Sequence, residues 1–234
     1  VALTPVSYYD RFRLETGDDL KPGEGPEPDE DCLWKDAEIF GYLNDAQMAL
    51  ARKTNAIRDF YDLVLSAGVA YYGMPERLFR PRHAKVTADD RRIHLVNGLN
   101  GESYGDDYGM PRQVTDELTE GPIEALVFDE RSGRIRAAPK PTVAETVRIY
   151  GFFLPRERIK DENSKLELSD ERYELALLAF MKKRAYEKHD ADTLNKQLSQ
   201  KFEAEYLREA DEIISENKRR TRRSGTVKFG GGVW

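Results

Sequence analysis

The spacing of apolar positions changes twice along the chain. Over Pro5–Thr16 and from Lys35 to about Lys53, apolar residues fall on one side of a helix: Tyr8, Tyr9 and Phe12 in the first segment, Ile39, Leu43, Ala46 and Leu50 in the second. Thr4 before Pro5 supplies an N-cap and a first helical residue, and Gly17 supplies the stop. From Ala56 the period shortens. Segments 57–65, 78–86, 92–96, 123–129, 133–138 and 143–153 are short, rich in Val, Ile, Phe and Tyr, and separated by turn residues, which predicts strands. In the last of them Val143, Val147 and Ile149 point one way while Thr146, Arg148 and Tyr150 point the other, as in a sheet with one wet face. Hairpins are predicted at 88–90 and 130–133, where small polar residues and Gly tolerate turn geometry.

The helical period returns after Leu168. Ser169 is placed to cap a helix whose first turn holds Asp170 and Glu171, and Tyr173, Leu177, Phe180, Met181 and Arg184 form its buried stripe. The connection Lys188, His189, Asp190 leads to a second helix running to about Arg220, about 45 Å long at 1.5 Å per residue. A short loop between long helices implies antiparallel neighbours. In the second helix the early apolar residues Leu194, Leu198 and Phe202 lie on a different face from the later Tyr206, Leu207, Ala210, Ile213 and Ile214. The expectation is that the early half packs inside the subunit and the late half meets a neighbouring copy. The alternative is a helix that wraps its own core.

Beyond that helix a helix end does not account for the composition. Arg222, Arg223, Thr226, Val227, Lys228 and Phe229 make a basic, β-capable arm, and Gly230–Gly232 then lead to Val233 and Trp234. Such an arm suits strand addition to a partner's sheet edge, with the cations steering it to an acidic surface. The cluster 218–223 has a competing use in nucleic-acid contact.

These readings predict an α+β chain: an antiparallel helical bundle built from both ends, an inserted, mainly antiparallel β domain and an extended C-terminal arm. The expected divisions are 1–55 for the N-terminal helices, with an acidic loop at 18–31, then 56–155 for the β domain, 156–221 for the helical pair and 222–234 for the arm. Between Asn97 and Gly121 a long loop rich in Gly, Asp and Tyr calls for a function or an ordering partner.

Composition narrows the function. The 39% hydrophobic fraction can fill a core, and the net charge of −6 argues against nucleic-acid binding by bulk charge. The single cysteine, Cys32, forms no internal disulfide, as expected of assembly in a reducing cytoplasm. With no signal peptide and no apolar run of spanning length, no membrane association is expected.

No catalytic constellation, cofactor site or metal site is predicted, and the chain is not expected to be an enzyme. His83, His94 and His189 are far apart and none has metal-ligand spacing with Cys32. The glycine runs 98–101 and 230–232 lack the Lys-Ser/Thr and the strand-to-helix setting of a phosphate loop. Tyr104, Gly105, Asp106 and Asp107 match a polymerase string without a polymerase-sized palm around it, and solvated loop acids explain them.

The layout resembles the head-to-tail adaptor, or connector, proteins of tailed bacteriophages, including the tail-tubular adaptors of short-tailed phages. The resemblance rests on Leu3-Thr4-Pro5-Val6 leading into Asp10-Arg11-Phe12-Arg13, on Leu33-Trp34 before the helix from Asp36 to Gln47, and on Ala185 to Ala191 in the late helical pair. It departs at Lys35, where similar sequences favour a Ser or Thr cap for Glu38 to reciprocate, and at the acidic stretch 18–31, which is longer than usual. The resemblance implies a structural virion protein at the head-tail junction, assembled in the host cytoplasm. It implies a homo-oligomeric ring, typically of twelve copies, under the portal protein, through which double-stranded DNA passes without specific binding and onto which tail, nozzle or stopper proteins attach. On this reading the portal-docking residues are Arg222, Arg223, Thr226, Val227, Lys228, Phe229 and Trp234, and the subunit-contact residues are Tyr206, Leu207, Ala210, Ile213 and Ile214. A net-acidic channel wall keeps phosphate backbones from sticking.

Overall fold

The computed structural model describes residues 3–18, 33–97, 120–129, 131–188 and 194–223, with residues 221–223 described by backbone alone. The chain divides into two compact units, one comprising Val1–Thr54 with Pro155–Trp234 and the other Asn55–Leu154. The described residues form an α+β fold with four α-helices and a large, mainly antiparallel sheet.

In the helical unit, α1 spans Pro5–Thr16. The Thr4 hydroxyl accepts from Ser7 N–H and the Ser7 hydroxyl accepts from Thr4 N–H, which satisfies two end donors reciprocally. Gly17 closes the helix at φ 70°, a left-handed conformation open to a residue without Cβ, and donates to the Arg13 carbonyl. Helix α2 spans Asp36–Thr54 and buries Ile39, Leu43, Ala46 and Leu50, the stripe its period predicts. Lys35 has no side-chain oxygen to cap this helix. Half of a capping box survives, with Glu38 accepting from Lys35 N–H at 3.0 Å.

The segment after residue 155 is tied down along α2. The wholly buried Gln47 accepts from the backbone N–H groups of Glu167 at 2.8 Å and Leu168 at 3.1 Å, while Ile159, Leu166 and Leu168 fill the core. Asp170, rather than Ser169, caps the next element: its carboxylate accepts from Arg172 N–H at the head of a 3-10 turn, Glu171–Tyr173, that runs into α3 at Glu174–Tyr186. Helix α3 buries Ala176, Leu177, Leu178, Ala179, Met181 and Ala185, a wider face than the single stripe expected, and Arg184 is exposed. Trp34 joins this core by donating from Nε1 to the Ala185 carbonyl at 3.3 Å and packing edge-on against Phe12 and Tyr186.

Helix α4 spans Lys196–Arg223. It begins later than the expected connection, with the Asn195 side chain accepting from Leu198 N–H, and it ends later than Arg220. Pairings of Arg172 with Asn217, Phe180 with Tyr206, and Tyr186 with Phe202 run in opposite senses along the chain, so α3 and α4 are antiparallel.

In the other unit, strands β1 (Arg58–Leu65), β2 (Tyr71–Gly73), β3 (Leu78–Val86), β4 (Arg92–Asn97), β6 (Ala125–Asp129), β7 (Arg134–Ala138) and β9 (Glu145–Phe153) form one sheet in the order β1-β9-β3-β4-β6-β7-β2. Neighbours are antiparallel except β4 and β6, whose parallel pairing follows from the long connection between them. β5 (Glu120–Gly121) and β8 (Lys140–Pro141) make a small parallel ribbon. One face of the large sheet is apolar and buried, with Leu63, Leu65, Ala84, Val86, Leu95, Phe128, Val147 and Ile149 in its cluster. The short strands β2, β5 and β8 carry no apolar alternation and were not expected. Val143 lies before β9 and is exposed, contrary to its expected place on the inner face. The first hairpin turns at Asp90, φ 57°, with Asp89 accepting from Arg91 N–H. The second turns at Gly133, with Asp129 accepting from Arg131 and Ser132, while Glu130 lies outside the described residues.

Candidate docking and subunit-contact surfaces

Helix α4 presents its sequence-predicted residues unequally. Tyr206, Ala210 and Ile213 are buried within their own unit, with Tyr206 edge-on to Phe180 at 5.0 Å between ring centres. Leu207 is 41% exposed and Ile214 half-buried, on the adjacent side. Of the five residues expected to meet a neighbour, these two keep surface for it. The early half is the wetter one: Leu194 is exposed, Leu198 and Phe202 are half-buried, and Phe202 stacks on Tyr186 under the ammonium of Lys182. The buried stripe is Ser199, Tyr206, Ala210 and Ile213, stepping by seven, four and three, so from Ser199 to Ile213 the helix packs on its own core.

The basic end also shifts. Arg222 and Arg223 fall within α4 rather than beyond it, and the exposed cations Lys218, Arg219 and Arg220 stand near its carbonyl end, whose helix dipole they complement. Thr226, Val227, Lys228, Phe229 and Trp234 lie outside the described residues, as do Cys32, His189 and the Tyr104–Asp107 string. Among the described residues no group of three or more His, Cys, Asp or Glu is placed to hold a metal ion, and no helix is long and apolar enough to cross a membrane.

A buried arginine organises the other end of the helical unit. Arg13, 5% exposed, donates from Nε to the Tyr9 hydroxyl at 2.8 Å, from Nη1 to Asp18 at 2.5 Å, and from Nη2 to the Trp34 carbonyl at 3.1 Å and Asp36 at 2.7 Å. Asp18 in turn accepts from Leu33 N–H. One guanidinium thus holds the last described residue before the acidic stretch against the first ones after it. Asp18, expected in the acidic loop 18–31, is a buried ion-pair partner. Burial and then the hydrogen bond to Asp36 push the Tyr9 hydroxyl up to about 12, so it stays a donor across the working pH range.

The model of the SU10 adaptor protein family matches residues 9–229, which takes in the Arg13 cluster, both units and the whole of α4. The chain belongs to this family. The match agrees with the likeness to phage head-to-tail adaptors carried by its end motifs and makes the protein a structural adaptor of the phage type. No curated protein matches the chain.

The adaptor has one further surface that the alternation pattern located but charge reading missed. On the outer face of β1, β9 and β3 stand Arg58, Phe60, Asp62 and Val64 opposite Phe152, Tyr150, Arg148 and Thr146, with His83 and Lys85 beyond Tyr150 and Arg148. Arg148 forms a bidentate pair with Asp62 at 2.7 and 2.8 Å and lies 4.2 Å over the Phe60 ring. His83 stacks on Tyr150 at 4.5 Å. Partial burial, then the cations Arg92, Arg82 and Lys85, hold its imidazole below the ordinary histidine value. Polar and aromatic residues at alternate positions of 58–64 and 146–152 were the available signal.

Proposed function

We propose that this adaptor is a structural virion protein that forms a ring below the portal, joins the DNA-filled head to the tail and gives DNA a channel. Twelve copies is the number the family likeness favours. The antiparallel bundle of both chain ends, residues 1–55 with 156–221, is the ring-forming body. Leu207 and Ile214 on the open side of α4 contribute to contact between copies. The inserted domain 56–155 faces tail, nozzle or stopper proteins, and the arm 222–234 grips the portal. Assembly takes place in the host cytoplasm before incorporation into the virion, and genome ejection passes through the ring.

The observation that carries this reading is the family match across 9–229, which spans almost the whole chain and both of its units. Two features support it. Leu207 and the half-buried Ile214, seven residues apart and so on one side of α4, keep apolar surface open to a neighbour, and a cationic helix end leading to a β-capable segment suits docking on an acidic sheet edge. The test is co-sedimentation of the intact protein, and of a chain ending at Arg223, with the cognate portal. The intact protein is expected to travel with the portal and the shortened one to stay behind. Equal retention of both removes the arm from the docking role.

A further inference from the structure

The outer face of β1-β9-β3 is cationic on a protein of net charge −6. Arg58, Arg80, Arg82 and Arg92 are exposed there, and Lys85 is half-buried and paired with Asp90 at 2.5 Å. Arg58, Arg80 and Arg82 form no ion pair with a carboxylate among the described residues, and the one carboxylate central to the face, Asp62, is spent on Arg148. Arg58 and Arg82 each lie 5.9 Å from the centre of the Phe152 ring, which holds their guanidinium groups in place over apolar surface. Phe60 is 47% and Val64 66% exposed beside them.

This composition fits a protein better than a nucleic acid. Bases need open aromatic faces, but Phe60 lies under Arg148 and Tyr150 is stacked on His83. Preorganised arginines around exposed apolar groups are the makings of a protein contact. The complementary surface is on the same chain. Glu205, Glu209, Glu212 and Glu216 recur by four, three and four along one side of α4, and the last three together with Ile213 line a groove whose other wall is Arg172, Arg219 and Arg220. Lys201, Arg208 and Arg220 are their exposed local partners, and such pairs exchange at little cost. Glu212 has no ion-pair partner among the described residues. From Glu205 to Glu216 the helix rises about 16 Å, and from Arg80 to Lys85 the strand extends about 16 Å.

We propose that the arginine face of the sheet in one copy docks on the glutamate row of α4 in the next. Two different surfaces of identical chains then meet, a heterologous contact that closes into a ring when the rotation allows. The proposal rests on the ring reading above and names its interface.

The test is a charge-swap cycle in the full chain, read by mass photometry of the adaptor alone and with its portal, and repeated in rising salt. Arg80→Glu with Arg82→Glu, and separately Glu205→Lys with Glu212→Lys, are expected to raise the protein concentration needed for ring formation at least tenfold while leaving the helical and sheet circular dichroism unchanged. The four changes together are expected to restore assembly. Rings that form normally with Arg80→Glu and Arg82→Glu overturn the proposal and leave the ring reading standing, as does a combined variant no better than its parents. Loss of salt-dependent duplex DNA binding in the sheet variant with rings intact assigns the face to nucleic acid and also overturns it. A native chain that never forms a ring overturns both.

Discussion

Arg13 reads in sequence as one more charge on an amphipathic helix, and in the structure it is the buried hub of four groups. Arg13→Met removes the cation and leaves Asp18 buried without it, so a loss of about 3–5 kcal/mol is expected in denaturant unfolding of the helical unit. A loss below about 1 kcal/mol would show that Asp18 is hydrated once the arginine is gone. Gly151 is the equivalent fixed point of the sheet. A Cβ there would stand 2.6 Å from the Arg80 carbonyl and 2.8 Å from Leu78, so Gly151→Ala is expected to cost about 1–3 kcal/mol through displacement of β3. Unchanged hydrogen exchange in β3 and β9 would contradict it.

Charge sets the pH response at the same scale. Burial alone would raise Glu15 and Glu38, but Lys182 and Arg11 for the first, and Lys35 N–H and Lys188 for the second, outweigh it and hold both carboxyls below their ordinary 4.5. The folded state therefore binds fewer protons than the unfolded one. Their contribution is present above pH 4.5 and is lost as pH falls further, so the helical unit is expected to melt earlier in acid, and Lys182→Met and Lys188→Met are expected to blunt that dependence. His83 acts in the same sense in the sheet unit: its lowered value means stability present above its ordinary 6.5 and lost as pH drops below it.

At the scale of elements, periodicity located α1, the buried stripe of α2 and the six longer strands, because a continuous apolar face leaves a regular mark. What it could not resolve was α4. Steps of four and three both appear in the pattern, and which residues are buried depends on where α3 lies, which no local spacing encodes. Tyr206, Ala210 and Ile213 went to the core, and Leu207 and Ile214 kept open surface. Leu207→Glu is accordingly expected to leave the unfolding of the isolated protein within about 0.5 kcal/mol while weakening assembly. Ala210→Leu, which puts a larger side chain into a fully buried position, is expected to destabilise the helical unit by about 1–3 kcal/mol. The cationic sheet face was legible only as alternation, since its charges are scattered over β1, β3, β4 and β9 and gather only on pairing.

For the whole molecule, the end motifs and the helical pair carried the family likeness, and the match across 9–229 places the chain among the adaptors. The proposed action of the adaptor is assembly into a ring on the portal. The most direct measurement is mass photometry of the intact protein mixed with its portal. A single complex whose mass exceeds that of the portal by a fixed multiple of the 26.9 kDa chain, near twelve, is the predicted result. A protein that stays monomeric with the portal and instead shifts duplex DNA, with affinity falling steeply in salt, would contradict the account and make the basic end of α4 a nucleic-acid site.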